Sequence, residues 1–484
     1  MLTVATSDNS RDCAGQSRRD FLRIGALGLG GLTLTNLLRT QAALAGPGAV
    51  GSPAFVRDKA VVVLFLGGGA SHIETFDPKM TAPSEMRSVT GEIPTAIPGV
   101  TFGGNFPKLA KMADRLAVVR SFQHPVGDHS KAIIHVLTGG TDNVMSMGST
   151  YARLRGTNHE ATGIPTYAVI NGPEQDPQYR KELQRIAEGS KPGPLGAAYA
   201  PFTVETQEGG KTSKSRDSRS GNPATDNMHL SIDRDRLADR RTLLESLDRL
   251  NRRIDATGVM EGMDRFEQQA IDLVLGSAGQ AFDLSKEDPR LVKAYDTTGY
   301  RIGNLGKRPQ FARKSTLGHQ MLLARRLVEA GCGYVTVQSA GWDMHADGNN
   351  PGILDGMNML GPTVDHAVSV FLDDLKSRGL SEKVLLVITG EFGRTPKINK
   401  KGGRDHWGNL CPLVFAGGGL NMGQVIGSSD RGSCEPATEP VSPQMMMATV
   451  MHTLFDVGEL RLQTELPREL KALIENGEPI RELV

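Results

Sequence analysis

The sequence predicts an α/β fold with a mostly parallel central sheet and helices on both of its faces. Continuous apolar runs recur along the chain, and such runs are typical of strands buried on both faces of a parallel sheet. Amphipathic helical patterns lie between them, so that strands and helices alternate. The predicted strands are 59–66, 334–338, 384–389 and 413–416, and the clearest predicted helices are 317–330 and 364–378.

Residues 1–45 have the order of a cleavable export signal. The pair Arg18-Arg19 leads into a weakly apolar, glycine-rich stretch, and the segment from Ala43 to Ala45 offers a cleavage site. The stretch is too often interrupted by Gly, Thr and Asn for a membrane span. Paired arginines here are typical of the twin-arginine (Tat) route, which exports folded proteins. We therefore expect the Tat translocase as a partner, no integral span in the mature chain and a periplasmic or secreted location.

Residues 46–484 are predicted to form a single α/β domain that carries an insertion. Between 204 and 227 the composition shifts to Gly, Ser, Lys, Arg and Asp, as in an exposed loop, and a charged helical pattern follows. We interpret about 205–285 as a polar loop and helical insertion within one domain, because a structureless linker of this length is uncommon.

Charge and cysteine content exclude several classes of function. The 55 basic and 54 acidic side chains give a net charge of +1, so no overall field favours nucleic acid or an anionic membrane. Cys13 lies in the predicted signal, which leaves Cys332, Cys411 and Cys434 and at most one internal disulfide. The absence of any C-x-x-C pair argues against a zinc site made of thiolates.

Residues suited to metal chemistry follow the predicted strands, at the edge where open parallel sheets bind ligands. Asp343 and His345 follow the second strand and, being two apart in extended chain, point the same way, so that both can bind one cation. Glu391 and Arg394 follow the third strand on a turn bounded by glycines. His406 lies just before the fourth strand, in the sequence Gly-Arg-Asp-His-Trp.

A predicted helix supplies a candidate nucleophile. Asp128 is a good N-cap and Gly139 would end the helix, which places Ser130 in the first turn. Free backbone N–H groups and the positive end of the helix dipole suit a phosphate or sulfate ester there, and a nearby metal would activate the hydroxyl. The alternative is that His129 and Ser130 only complete the helix start.

Together these motifs resemble the bacterial family called domain of unknown function 1501. The resemblance rests on the arginine pair and on segments 67–78, 341–345, 390–396 and 403–407, and it covers almost the whole mature chain. That family is grouped by fold with alkaline phosphatases, sulfatases and cofactor-independent phosphoglycerate mutases. The resemblance therefore implies an alkaline-phosphatase-like form of the α/β fold.

The resemblance also implies site residues. Asp343, His345 and His406 match the Asp, His, His metal site of that superfamily. Glu391 falls where the second site has an acid, but Phe392 replaces the His expected after it. The first strand runs into glycines where another acid is expected, and the helix start has no Cys of the kind found in sulfatases.

These residues predict an exported metal-dependent hydrolase of phosphate or sulfate esters. A divalent ion, zinc or manganese, would activate Ser130 or a bound water on a small-molecule or glycan ester. Lys131 and Arg394 would neutralise the ester oxygens, and Arg404 would order the loop that bears His406. The alternative for both arginines is a structural pair with a carboxylate. The sequence leaves open whether a further histidine completes the coordination; the candidates are His72, His124 and His129.

The alternative is an extracytoplasmic binding or assembly protein that has lost catalysis on the same fold. Phe392 and the missing acid at the first strand favour this hypothesis. The two tryptophans, Trp342 and Trp407, flank the proposed ligands and would offer stacking surfaces for a sugar ring.

Overall fold

The computed structural model describes residues 53–484 with internal gaps. The gaps are 141–144, 173–179, 206–277, 304–311, 465, 467–469, 471–472 and 475–476. The predicted signal and most of the predicted insertion therefore lie outside the described residues.

One eight-stranded sheet and three two-stranded ladders contain the strands of the described part of the chain. In chain order these strands are β1 (Ala60–Gly67), β2 (Glu92–Pro94), β3 (Thr101–Gly103), β4 (Ala117–Val119), β5 (Tyr167–Asn171), β6 (Phe202–Glu205), β7 (Arg301–Ile302), β8 (Arg313–Lys314), β9 (Tyr334–Ala340), β10 (Val384–Thr389), β11 (Gly393–Arg394), β12 (His406–Trp407), β13 (Leu413–Gly417) and β14 (Gln424–Ile426).

The large sheet has the strand order β14-β4-β13-β10-β1-β9-β5-β6. Its centre is parallel, because β1 pairs in parallel with β9 and β10, and β9 continues in parallel through β5 to β6. β13 runs antiparallel to both β10 and β4, while β14 is parallel to β4. Among the described strands of this sheet only β13 opposes the others, which confirms the predicted mostly parallel fold.

The described helices cover the two faces of this sheet. In chain order they are α1 (His72–Thr75), α2 (Pro107–Lys111), α3 (His129–Leu137), α4 (Met147–Arg155), α5 (Arg180–Gly189), α6 (Ala278–Phe282), α7 (Pro289–Ala294), α8 (Leu317–Glu329), α9 (Ile353–Ser377), α10 (Pro443–Leu454) and α11 (Val457–Arg461). Among these described helices, none combines the length and the apolar character needed to cross a membrane.

The central strand β1 is buried along its whole length, so successive side chains enter two different cores. Val62 and Leu64 pack in one core with residues of α8 and α9. Val61, Val63 and Phe65 pack in the other with residues of α3, α4 and α10. Helices on both faces thus explain why β1 is a continuous apolar run rather than an alternating one.

The predicted elements match the observed ones closely, with one helix longer than expected. The predicted strands 59–66 and 384–389 correspond to β1 and β10, and the predicted helix 317–330 corresponds to α8. The prediction 364–378 covers only the second half of α9, which begins at Ile353. Pro362 lies inside α9 and interrupts the helical pattern, because proline removes one backbone hydrogen bond.

Candidate metal centre

Three parallel strands bring the predicted site residues to one edge of the sheet. β1 lies between β9 and β10, so the carboxyl ends of all three strands are adjacent. Asp343 and His345 follow β9, and Arg394 follows β10 in the short strand β11. β11 pairs with β12 in a register that places His406 opposite Arg394.

Two glycines after β1 allow the neighbouring loops to close over its end. Gly68 and Gly69 have φ values of 107° and 82°, which favour glycine. A Cβ atom on Gly68 would lie 2.5 Å from the backbone nitrogen of Asp343, and one on Gly69 would lie 2.4 Å from the Phe392 ring. At the end of the first strand, where an acid was expected, the two glycines therefore leave room for the loops that follow β9 and β10.

Four side chains converge at this edge in an arrangement that can hold a metal ion. One donor atom from each of His129, Asp343, His345 and His406 lies within 4.8 Å of all the others. The Nε2 atom of His345 lies 2.7 Å from Asp343 Oδ1 and 2.8 Å from His406 Nε2. The Nε2 atoms of His406 and His129 each lie 3.5 Å from a carboxylate oxygen of Asp343.

Each of the three imidazoles is held through its other nitrogen. A carboxylate or carbonyl oxygen can only accept, so each Nδ1 donates. With an ion bound, each ring would be neutral and would present the lone pair of Nε2 to the metal. The three hydrogen bonds are His129 Nδ1 to Glu391 Oε1 at 2.8 Å, His345 Nδ1 to Asp405 Oδ1 at 3.2 Å, and His406 Nδ1 to the Gly127 carbonyl at 2.9 Å.

The electrostatics of the cluster favour a charged Asp343 and a neutral His406. Burial would raise the pKa of Asp343, but hydrogen bonds from the three histidines and the charge of Arg394 hold that pKa well below its usual range. Burial lowers the pKa of His406 below its usual value. Both groups are therefore in the form that binds a cation at neutral pH.

His129 is the exception, because it lies between two carboxylates. Burial alone would lower its pKa, but the hydrogen bonds with Asp343 and Glu391 outweigh burial and raise the pKa to about 9. In the absence of an ion the protonated ring thus compensates the two negative charges. A bound cation would take over that compensation, and the proton would leave.

Glu391, predicted as a ligand, lies behind His129 rather than in the cluster. Its carboxylate is fully buried, and Oε1 accepts hydrogen bonds from His129 Nδ1 and from the backbone N–H of Gly68, both at 2.8 Å. Oε2 has no hydrogen-bond partner among the described residues. In this structure Glu391 orients His129 and connects it to the loop after β1.

Arg394, predicted to bind the ester or to pair with a carboxylate, is fully buried and pairs with Asp343. Its Nη2 donates to Asp343 Oδ1 at 2.6 Å and also to the Gly68 carbonyl. Nε donates to the Gly69 carbonyl at 2.7 Å, and Nη1 donates to the Arg404 carbonyl at 3.2 Å. The N–H groups of the guanidinium therefore hold Asp343 and the loop after β1 in place.

The side chains of Ser130 and Lys131 make no hydrogen bond or ion pair with the described residues of the cluster. Both residues are exposed in the first turn of α3, whose N-cap is Asp128 as predicted. The backbone N–H of Lys131 donates to Asp128 Oδ1 at 3.0 Å and so caps the helix. The neighbouring residue His129, which the sequence could not distinguish from other histidines, is the one that enters the cluster.

The two other candidate histidines lie elsewhere. The Nε2 atom of His124 contacts the Glu391 carbonyl at 2.5 Å, and burial lowers its pKa to about 4. His72 contacts the Ser433 carbonyl at 3.1 Å through Nε2, and burial lowers its pKa to about 4 as well. Both rings are neutral and buried, and each supports the backbone of a neighbouring loop.

Sequence reasoning missed one buried carboxyl group near the cluster. Glu182 on α5 accepts a hydrogen bond from the backbone N–H of Gly341 at 3.1 Å, and so supports the loop that carries Asp343. Burial raises its pKa to about 8, and the charges of Asp343 and Glu391 act in the same direction. Its only sequence signal is a glutamate in a helix with a strongly one-sided apolar pattern.

The aromatic residues around the cluster are packed or hydrogen-bonded within the protein. Trp342 is fully buried and donates to Ser339 Oγ at 3.2 Å, so the predicted sugar-stacking role does not fit it. Trp407 is half-buried and donates to the Cys434 carbonyl at 2.7 Å. The buried Phe392 ring packs 4.5 Å from the ring of His406 between centroids.

A polar pocket of about 440 Å³ opens beside the cluster, and His345 forms part of its wall. The remaining lining residues carry both signs of charge, and none of them is apolar. They are Asp347, Asn399, Lys400, Lys401 and Asp405.

Comparison with known proteins gives weak structural similarities. A sulfatase from Pseudoalteromonas sp. is 14% identical, with 82% of this chain and 68% of that chain covered and a TM-score of 0.30. The lipoteichoic acid synthase LtaP from Listeria monocytogenes is 10% identical, with 89% and 80% covered and a TM-score of 0.35. Alkaline phosphatase from the Antarctic bacterium TAB5 is 9% identical, with 78% and 96% covered and a TM-score of 0.27. At such identities and TM-scores, these likenesses carry no argument about activity.

Family membership is clear from the sequence. No curated protein sequence matches the chain. The family model described as protein of unknown function (DUF1501) matches residues 58–484, which include every residue of the cluster. The chain belongs to this family.

Proposed function

We propose that this protein is an exported metal-dependent hydrolase of phosphate or sulfate esters. The observation that carries the proposal is the convergence of three histidine Nε2 atoms on Asp343, each ring being anchored through Nδ1. Such anchoring of the remote nitrogen is typical of metal-binding histidines, since it fixes both tautomer and ring orientation.

The donor set favours zinc, with manganese as the second choice. Three imidazole nitrogens and one carboxylate oxygen fit the ligand preferences of zinc, whereas manganese prefers more oxygen donors. The side chains of His345 and His406 are 20% and 26% exposed, so the cluster is reachable from solvent. A divalent ion held there would polarise an ester oxygen and lower the pKa of a bound water.

The surrounding residues hold the ligands in a fixed geometry. Arg394 binds Asp343 through a 2.6 Å hydrogen bond, and Glu391 and Asp405 hold two of the imidazoles. Because Arg394 is buried and fully engaged, the charge of the ester oxygens would be met by the cation and by the exposed lysines of the adjacent pocket. Water is the nucleophile that this geometry favours, since the Ser130 side chain makes no described contact with the cluster.

Metal content of the purified protein tests the proposal. Protein expressed with its export intact and kept from chelators should contain near-stoichiometric zinc or manganese by elemental analysis. Asp343→Ala should lose it, because the carboxylate contacts all three histidines. Asp373→Ala is the matched control, since that carboxylate is 64% exposed and pairs with Arg115 on the surface.

Hydrolysis of phosphate, phosphonate and sulfate esters is then screened with the metal-loaded protein. Activity that disappears in Asp343→Ala and persists in Asp373→Ala supports the hydrolase. Wild-type protein without metal, and without metal uptake on titration, would refute the proposed centre.

A second candidate function is favoured by Phe392. Its buried ring lies 4.9 Å from the ring of His129 and 4.5 Å from that of His406, so that side of the cluster is closed by hydrocarbon. In the described part of the chain the cluster is the one group found with metal-binding geometry. A single structural ion in an extracytoplasmic binding or assembly protein fits these facts. Stoichiometric metal without hydrolysis of any ester class would favour this second function.

A further inference from the structure

The pocket beside the metal centre contains a turn that carries two lysines. The pocket holds about 440 Å³, a volume within the usual range for small-molecule sites. His345 belongs to both the pocket and the metal cluster, so a molecule in the pocket would lie next to the ion. Lys400 and Lys401 form part of the wall on the side of the turn.

Hydrogen bonds within the turn give it a defined shape. The Asn399 side-chain oxygen accepts from the backbone N–H groups of Lys401 and Gly403, both at 3.0 Å. The backbone closes the turn in both directions, because Gly402 N donates to Asn399 O at 3.0 Å and Asn399 N donates to Gly403 O at 2.8 Å. Gly402 has a φ of 85°, which favours glycine.

The turn is also fixed to the metal centre. The Asn399 amide donates to the His345 carbonyl at 3.1 Å and to Asp405 Oδ1 at 3.2 Å. A Cβ atom on Gly403 would lie 2.2 Å from the His345 carbonyl carbon, so the two backbones are in direct contact. Behind the turn the fully buried Arg404 pairs with the buried Glu74 at 2.8 Å. The backbone of the two lysines is therefore held at a fixed place relative to the proposed metal centre.

The two lysines are the charged side chains of this pocket that have no described hydrogen bond or ion pair. Asp405 is engaged by His345 and Asn399, and Asp347 accepts from the backbone N–H groups of the loop that follows it. The Lys400 and Lys401 side chains are exposed, and neither ammonium group makes a hydrogen bond or ion pair with another described residue. Two cations on a built turn, in a pocket whose lining residues are all polar or charged, fit an anionic and hydrophilic ligand.

We propose that Lys400 and Lys401 bind a second anionic group of the substrate, remote from the ester at the metal centre. The substrate class is then a sugar or other polyol that carries at least two phosphate or sulfate groups. The Asp405 carboxylate, which is 61% exposed, would accept hydrogen bonds from its hydroxyls. This inference rests on the proposed function, because it assigns the metal centre to the ester that is cleaved.

The test compares ligands that differ by one anionic group. Calorimetry measures binding of a hexose monophosphate and the corresponding bisphosphate to the metal-loaded protein, and then of a hexose monosulfate and disulfate. Ester hydrolysis is followed in parallel for the same compounds. The phosphate and sulfate pairs distinguish the two sources of anionic charge.

We expect the wild-type protein to bind the doubly charged member of one pair about fivefold more tightly, which corresponds to two partly screened ion pairs. The double variant Lys400→Ala/Lys401→Ala should lose this preference and keep its metal content. Lys397→Ala is the control, since Lys397 is exposed in the same loop but does not line the pocket.

Equal binding of the two members of both pairs would overturn the proposal, as would a preference that survives in the double variant. Failure of the proposed function gives a different result. In that case no ester is hydrolysed, yet a lysine-dependent preference in binding would still establish the anion site.

Discussion

The three histidines of the centre differ in what holds them. The Nδ1 atom of His129 is hydrogen-bonded to a carboxylate that is fully buried. That of His345 is bonded to a carboxylate that is 61% exposed, and that of His406 to a backbone carbonyl. A hydrogen bond to a buried charge is stronger than one in contact with water, because the local dielectric constant is lower. The orientation of His129 is therefore the most sensitive to a mutation in its partner.

Glu391→Gln should weaken metal binding about tenfold while the protein stays folded, since loss of a partner behind a ligand typically costs that much affinity. The substitution keeps the shape of the side chain and removes the negative charge that makes the His129 imidazole a stronger metal ligand. Asp405→Asn is the matched comparison at His345 and should have a smaller effect, because its carboxylate is largely exposed. Competition with a zinc-binding dye measures both affinities. An equal loss in both variants would contradict the role assigned to burial.

Ser130→Ala should retain ester hydrolysis within about threefold, because removal of a group outside the reacting geometry leaves transition-state stabilisation nearly unchanged. The Ser130 side chain is exposed and makes no described contact with the cluster. Steady-state rates on the best substrate measure the effect. A loss of several hundredfold with unchanged metal content would instead identify Ser130 as the nucleophile.

Residue spacing predicted part of the centre and could not predict the rest. Asp343 and His345 were found because two-residue spacing in extended chain is a local property. The choice of His129 among the candidate histidines, and the place of Glu391 behind it, depend on distances between segments far apart in sequence. No local pattern contains that information.

At the scale of elements, the glycine turn after β1 determines how closely the other strand ends approach. Gly68→Ala should destabilise the protein and reduce its metal content, because the new Cβ atom would lie 2.5 Å from the Asp343 backbone. Gly91→Ala is the matched control: its φ is also positive, at 73°, but its Cβ atom would meet open space. The control should lose about 1 kcal/mol from backbone strain alone.

Urea denaturation and elemental analysis separate these two effects. Full metal content in Gly68→Ala would show that the Asp343 loop does not depend on this close approach.

A buried charge network joins α8 and α9 to the segment before α7. Arg325 contacts Glu287 at 2.5 Å and Asp374 at 2.9 Å, and Arg326 contacts Glu287 at 2.8 Å. Burial would raise the pKa of Glu287, but the two arginines lower it to about 2, from an ordinary value of 4.5. Glu287 therefore stabilises the fold above about pH 4.5, and this contribution is lost as the pH falls through about 2.

Glu287→Gln should lower the free energy of unfolding by about 1–2 kcal/mol at pH 7, since Arg325 keeps its other partners. The difference from wild type should shrink between pH 5 and 2 in urea titrations, because the wild-type carboxylate becomes protonated there. Glu478→Gln is the control, as its ion pair with Arg481 is exposed. A difference independent of pH would contradict the lowered pKa.

The elements themselves were largely predictable, and their directions were not. The apolar runs of β1 and β10 predicted buried strands because both faces of each strand meet a core. β13 is an equally apolar run, yet it runs antiparallel between β10 and β4. Strand direction depends on the path of the connecting chain, which apolar content does not record.

For the whole molecule, the arginine pair of the predicted signal is the feature that would determine location. Arg18→Lys together with Arg19→Lys should leave the protein in the cytoplasm, because the twin-arginine route requires the pair. Arg11→Lys, in the same basic segment, should be exported normally. Cell fractionation and immunoblotting measure both. Unchanged export of the double variant would exclude this route.

The residues of the proposed metal centre come from distant parts of the chain, from His129 in α3 to His406 in β12. A nascent chain still on the ribosome thus cannot complete the proposed centre until His406 has been synthesised and β1, β9 and β10 have paired. Only molecules that have completed this part of the fold would then bind the ion. In the proposed export route, which carries folded proteins, the cell would load the ion in the cytoplasm, where it controls metal supply, before the protein reaches a compartment whose metal content it does not control.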